Sequence, residues 1–304
     1  MKTFKTILAV AVAAMAFVGC AKEQNVELNE KVTMTYSVSL DSASSTRAFD
    51  GLNVTHLDYK MYLLNANDST TPTATGTVEK NGTSFPVTLE FLKGQQYKVT
   101  FIAYNSTNFG DGMWCKYTDS SKQSVVFDYT KDAEDLFTGV FELSASDITT
   151  SLKLVRPLAQ VNLYLSETDV TKATALGFDT TGGVTFTLSN MATTYNLLTK
   201  AVSGSFTDAK SYTGTVAGDD NGYHHLGSAL VLGGQNVEGK IYSIGNVQYG
   251  TDGHAVPSVP TAANKKTNVK YSSLLVGTVN YTVELTTGFD GTEKNYDEDG
   301  NAIP

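Results

Sequence analysis

Residues 31–40, KVTMTYSVSL, alternate without a break: Val32, Met34, Tyr36, Val38 and Leu40 are apolar, and the four residues between them are Thr or Ser. A period of two sends successive side chains to opposite faces of a strand, so one face is predicted buried and the other wet. The same period recurs in HLDYKMYLL, through Leu57, Tyr59, Met61 and Leu63, and in YKVTFIAYN, through Tyr97, Val99, Phe101 and Ala103. It returns near the end of the chain at Val279, Tyr281, Val283 and Leu285. TGTVEKNGTSFPVTLEF, centred on Asn81-Gly82, predicts a hairpin, because Asn-Gly readily takes the positive φ angles of a tight turn.

Shorter candidates follow in QSVVFDY and FTGVFELSA, and a second series runs from LKLVRPLAQVNLYL through GGVTFTLSN, SALVLGG, GKIYSIGNVQY and VKYSSLLVGTVNYTVELTT. One short helix is predicted between Glu167 and Leu176, capped by Ser166 or Thr168. Many short strands separated by Gly, Asn and Asp turns predict an all-β fold of mostly antiparallel strands in two tandem β-sandwich-like domains. The polar stretch SASDITTS, residues 144–151, divides them into 48–150 and 151–304.

The first 47 residues are expected to lie outside those domains. Lys2 and Lys5 precede an apolar run from Ile7 to Val18, too short to span a bilayer, which reads as a signal peptide over 1–19. It ends in FVGC, which is similar to a bacterial lipobox and makes Cys20 the expected lipid-bearing residue. Residues 20–47 then form a polar tether, the alternating strand and the loop DSASSTR. Only Arg47 and Arg156 are arginines, and Arg156 precedes Pro157, a bond that trypsin-like proteases resist. A protease that reads arginine would therefore cut between Arg47 and Ala48.

Composition narrows the chemistry. A net charge of −9 does not supply the basic face that nucleic acid requires. The histidines, His56, His224, His225 and His254, have no metal-ligand spacing, and the acidic turns AGDDNGYHH and YDEDGN lack the calcium-loop pattern. No nucleophile elbow, phosphate loop or dinucleotide fingerprint is present. The expectation is therefore a protein with no enzymatic activity, no metal and no cofactor. With Cys20 assigned to lipid, Cys115 is left as a small buried hydrophobe rather than half of a disulfide. The sixteen tyrosines read mainly as core and cross-strand packing.

LKLVRPLAQVNLYL, with its Arg-Pro-x-Ala step at 156–159, is similar to a strand of Bacteroidales fimbrillin-like lipoproteins, and TNVKYSSLLVGTVNYTVELTTGFDG is similar to their closing segment. The chain thus resembles the subunit family of type V pili. The resemblance implies export to the outer membrane as a lipoprotein, cutting by an arginine-specific protease, and filling of the vacated groove by a strand from another pilus subunit. On this sequence the cut falls at Arg47–Ala48 and the removable strand is Val32 to Leu40. Burying its five apolar side chains at about 1.5–3 kcal/mol each is worth on the order of 10 kcal/mol before ordering costs.

A stalk subunit must accept a strand and also donate one. Here Val279–Leu285 is the single alternating strand at the C-terminal end, and the acidic GFDGTEKNYDEDGNAIP after it offers no second one. That favours a tip or accessory role in a surface fimbrium, with a host or bacterial surface ligand as a further partner. The alternative is an uncleaved outer-membrane surface lipoprotein, either a pilus anchor or a glycan-binding β-sandwich protein.

Overall fold

A computed structural model describes residues 30–41, 53–64, 71–218 and 222–286, with two short backbone strands beyond them. The first half contains β1 (Lys31–Leu40), β2 (His56–Leu63), β3 (Ala74–Glu79), β4 (Ser84–Leu92), β5 (Gln96–Tyr104), β6 (Cys115–Tyr117), β7 (Ser124–Phe127), β8 (Phe137–Ser144) and β9 (Ser151–Leu154). The second half begins with β10 (Leu158–Ser166), α1 (Glu167–Thr174), β11 (Val184–Ser189), β12 (Thr194–Asn196), β13 (Val202–Ser203), β14 (Lys210–Gly214) and β15 (Ala217–Gly218). It continues through β16 (Tyr223–Leu232), β17 (Gln235–Ile244), β18 (Val247–Gln248), β19 (His254–Thr261), β20 (Lys266–Ser273), β21 (Asn280–Thr286), β22 (Glu293–Tyr296) and β23 (Ala302–Ile303). The fold is all-β, as the alternation predicts. The predicted helix is α1; Ser166 caps it, its Oγ accepting from the Asp169 N–H at 3.1 Å.

Two sheets make the first sandwich, ordered β4-β1-β9 and β3-β2-β5-β8. Between them lies one apolar cluster, including Tyr36, Val38, Phe85, Val87, Phe91, Phe101, Phe137 and Leu154. β4 shows the cause in its purest form: Phe85, Val87, Leu89 and Phe91 face the core, while Pro86, Thr88 and Glu90 face water.

The hairpin predicted at Asn81-Gly82 is not a hairpin. Gly82 does turn the chain with a φ of 61°, but β3 pairs with β2 and β4 pairs with β1. The turn carries the chain from one sheet to the other. Its local chemistry fixed the bend, while the partners of the flanking strands were chosen by the apolar faces each had to cover.

The second core is built by a seven-stranded sheet, β15-β16-β10-β20-β21-β22-β23, a five-stranded sheet around β11 and β17, and a four-stranded sheet, β13-β12-β7-β6. That last sheet is shared. β6 and β7 leave the first half between β5 and β8, and Trp114, Cys115, Val125, Phe127, Tyr129 and Leu136 pack into the second core. Tyr129 ties the joint, donating to the Ala192 carbonyl at 2.9 Å and accepting from the Leu232 N–H at 3.1 Å. Asp58 on β2 ties the other end: its buried carboxylate accepts from Thr77 Oγ1, Tyr104 OH and Tyr117 OH at 2.6, 3.1 and 2.8 Å. Three hydroxyl donors are what a carboxylate needs to stay buried. Among the described residues no helix is long and apolar enough to cross a membrane.

Candidate functional site

β1 is the middle strand of its sheet. It pairs antiparallel with β4 over nine positions, from Lys31↔Leu92 to Ser39↔Ser84, and parallel with β9 from Ser37↔Ser151 to Leu40↔Leu154. In that sheet β4 and β9 have no direct link, so β1 alone joins them. Without it, the facing edges of both strands would lose their hydrogen-bond partners, and the apolar faces of Phe85, Val87, Leu89 and Phe91 would lose their cover. Such an edge above an apolar floor is a template for another strand.

The grip on β1 is uneven along its length. Tyr36 and Val38 are fully buried, Tyr36 lying edge-on to Phe91 with ring centres 6.2 Å apart. Val32, Met34 and Leu40 are only half-buried. The five inward side chains predicted from the alternation therefore do not contribute equally: Tyr36 and Val38 supply about 1.5–3 kcal/mol each, and the other three supply less. The outward row is polar, with Thr35 Oγ1 3.1 Å from Thr88 Oγ1 and an exposed Lys31–Glu90 pair.

The two ends also differ. At the Leu40 end, the Asp41 N–H donates to the Leu154 carbonyl at 2.7 Å and the Asp41 carboxylate meets Lys153 Nζ at 2.6 Å. Asn264 Nδ2, from the β19–β20 connection, donates to the same carboxylate at 3.2 Å. Arg156 donates to the Asp41 carbonyl at 3.2 Å while its Nε and Nη2 hold Asp135 at 2.6 and 2.8 Å, its guanidinium 4.5 Å above the Phe137 ring. In the sequence Arg156 stands out for its Pro157 neighbour and its Arg-Pro-x-Ala step, not as a partner of Asp41 or Asp135. Its signal was the Arg-Pro step itself, which sits where the chain passes from β9 to β10. At the other end, β9 does not reach Lys31–Tyr36, and no described strand pairs there on that side. Tyr36 OH donates to Asp147 at 3.4 Å; burial, then the Asp147 charge, pushes its pKa up to about 12.

At the other extremity, Tyr281, Val283 and Leu285 lie in β21 and Val279 precedes it. β21 pairs with β20 on one side and β22 on the other, Val283 opposing Val269 and Tyr296. Its outward row is wet only at Thr282: Glu284 and Thr286 are buried, Glu284 paired with Lys270 Nζ at 2.6 Å.

Cys20, Arg47 and Ala48 lie outside the described residues, as do the acidic parts of the two turns. Cys115 is a free thiol inside the second core, and burial pushes its pKa up. His225 Nε2 sits 2.8 Å from Ser228 Oγ and His56 lies 3.9 Å from Glu79. Among the described residues no three His, Cys, Asp or Glu side chains gather as a metal site would require.

Two solved structures are similar in overall shape. A fimbrial assembly protein from Parabacteroides distasonis is 8% identical, with a TM-score of 0.44 over 88% of this chain and 100% of its own. The tip fimbrial protein Mfa3 from Porphyromonas gingivalis, C-terminally truncated, is 9% identical, with a TM-score of 0.49 over 84% of this chain and 99% of its own. No curated protein matches the sequence. The sequence does match a family over residues 23–304, nearly its whole length, and the chain belongs to that family, the family of unknown function DUF6562.

Proposed function

We propose that this protein is a fimbrial subunit of the bacterial surface in which β1 is a temporary occupant of its own groove. Lipid on Cys20 holds the precursor at the outer membrane. An arginine-specific protease hydrolyses the Arg47–Ala48 peptide bond, β1 leaves, and a strand from another subunit takes its place between β4 and β9. The observation that carries this reading is the position of β1: the first described strand, joined to β2 by a segment that holds Arg47, is the central strand of its sheet. The sequence resemblance to fimbrillins supports the same reading.

A tip or accessory place suits the other end of the chain. β21 is bonded on both sides and its Glu284 is buried against Lys270, so withdrawing it to serve a neighbour would open the second core. The protein accepts a strand and keeps its own.

The test is the N-terminal sequence and intact mass of the protein from its native cells. A start at Ala48 is expected. A lipid-modified Cys20 followed by an intact 31–47 segment would overturn the reading in favour of an uncleaved surface lipoprotein.

A further inference from the structure

Strand replacement raises the question of where exchange begins, and the uneven grip on β1 answers it. Lys31–Thr35 pairs with β4 alone, its inward residues Val32 and Met34 remain half-exposed, and its second edge is open among the described strands; the ion pair beyond it, Lys93 with Glu30 at 2.8 Å, is exposed. Beside that edge is a pocket of about 440 Å³ lined by Val32, Gly94, Gln95 and the Ser144–Ser146 turn. The turn continues into Ile148, an apolar residue whose side chain is 99% exposed among the described residues. The opposite end is paired on both sides and fastened through Asp41 to Lys153, Arg156 and Asn264.

We propose that the pocket at Val32 is the toehold for the incoming strand, and that the Asp41 end of β1 is the last to let go. The inference rests on the strand-replacement reading. Its partner is an extended segment of another subunit with alternating apolar residues. One of these fills the Val32 position beside Phe91 and the next fills the Met34 position beside Leu89. Each step of migration toward Leu40 then exchanges one set of β4 hydrogen bonds for another, so no intermediate leaves the β4 edge bare. The reverse order would begin by breaking the doubly paired Ser37–Leu40 segment, its Asp41 fasteners and the buried Tyr36 and Val38 together.

The full-length protein, cut at Arg47 with an arginine-specific protease so that β1 stays seated, is mixed with a fluorescent peptide of residues 31–41, and incorporation is followed with time. Incorporation is expected to speed up with peptide concentration and to slow at least about tenfold in Ala145→Trp, which fills the pocket. Two shorter peptides on the unaltered protein give the same comparison with no folding question: residues 35–41, lacking the toehold end, should enter about tenfold more slowly than residues 31–37. A rate independent of peptide concentration, or unchanged by Ala145→Trp and equal for the two short peptides, overturns the toehold while leaving strand replacement standing. Failure of every peptide to incorporate overturns strand replacement itself, and the toehold with it.

Discussion

β1 and β21 are written in the same code, apolar at every second residue, yet the tertiary structure uses them differently. β1 lines the first core with its outward row in water, held by two fully buried side chains, by half-buried fasteners at its Asp41 end and by exposed ion pairs at its Lys31 end. β21 is partly embedded on both faces: Val283 is buried on one, and Glu284 and Thr286 are buried on the other, while Thr282 is exposed. Thr286 Oγ1 accepts from the Lys266 N–H at 3.1 Å and donates to the Lys266 carbonyl at 3.2 Å, fixing β21 to its neighbour by side chain as well as by backbone. A strand can be exchanged when what it offers is generic, an alternating apolar row and a backbone edge. The more a strand's own residues are tied to particular polar partners, the less a foreign strand can take its place.

The comparison can be broken most forcefully with core truncations. Tyr36→Ala should destabilise the uncut protein by about 3–5 kcal/mol, and Val283→Ala by about 2–3 kcal/mol, both read by denaturant unfolding. After cleavage and occupation of the groove by unaltered 31–41 peptide, the Tyr36→Ala deficit should vanish and the Val283→Ala deficit should persist. Persistence of both would mean that β1 is as embedded as β21.

The next largest effect concerns the junction. Asp135→Ala strands the buried Arg156 guanidinium and should cost about 3 kcal/mol or more in unfolding experiments, since an uncompensated buried charge is heavily penalised. It should also loosen the Asp41 end, seen as faster amide exchange at Asp41. Glu284→Ala, which removes the partner of Lys270, should cost about 1–3 kcal/mol and leave β1 exchange unaltered.

A subtler handle is pH. Tyr36 has its pKa raised from 10.0 to about 12, so the fold favours the neutral phenol. The stability this supplies is complete below pH 10 and is lost as pH rises through the interval up to about 12. Release of β1 from the cut protein should therefore accelerate across that interval, and Tyr36→Phe should remove that part of the acceleration. The smallest effect is expected from Thr35→Ala on the wet face, within about 0.5 kcal/mol of the parent.

What the sequence determined by itself was the local grammar. The alternation of β1 and β4 declared which side chains would turn inward, because the two-residue period of an extended chain is covalent geometry. The start of α1 was legible to within two residues, at Ser166 or Thr168, because a hydroxyl side chain can satisfy an orphan N–H without any tertiary partner; Ser166 is the one that does. What only the tertiary structure decided was who pairs with whom. Asn81-Gly82 could not say that the strands on either side would join different sheets. The segment from Asn105 to Leu136 did not reveal that it would pack into the second core. Arg156 gave no sign that it would hold the end of β1, and Glu284 none that it would be buried. Those outcomes depend on surfaces far apart in the chain that must cover one another at once, and no local period records them. The central place of β1, from which the proposed function follows, is a fact of that second kind.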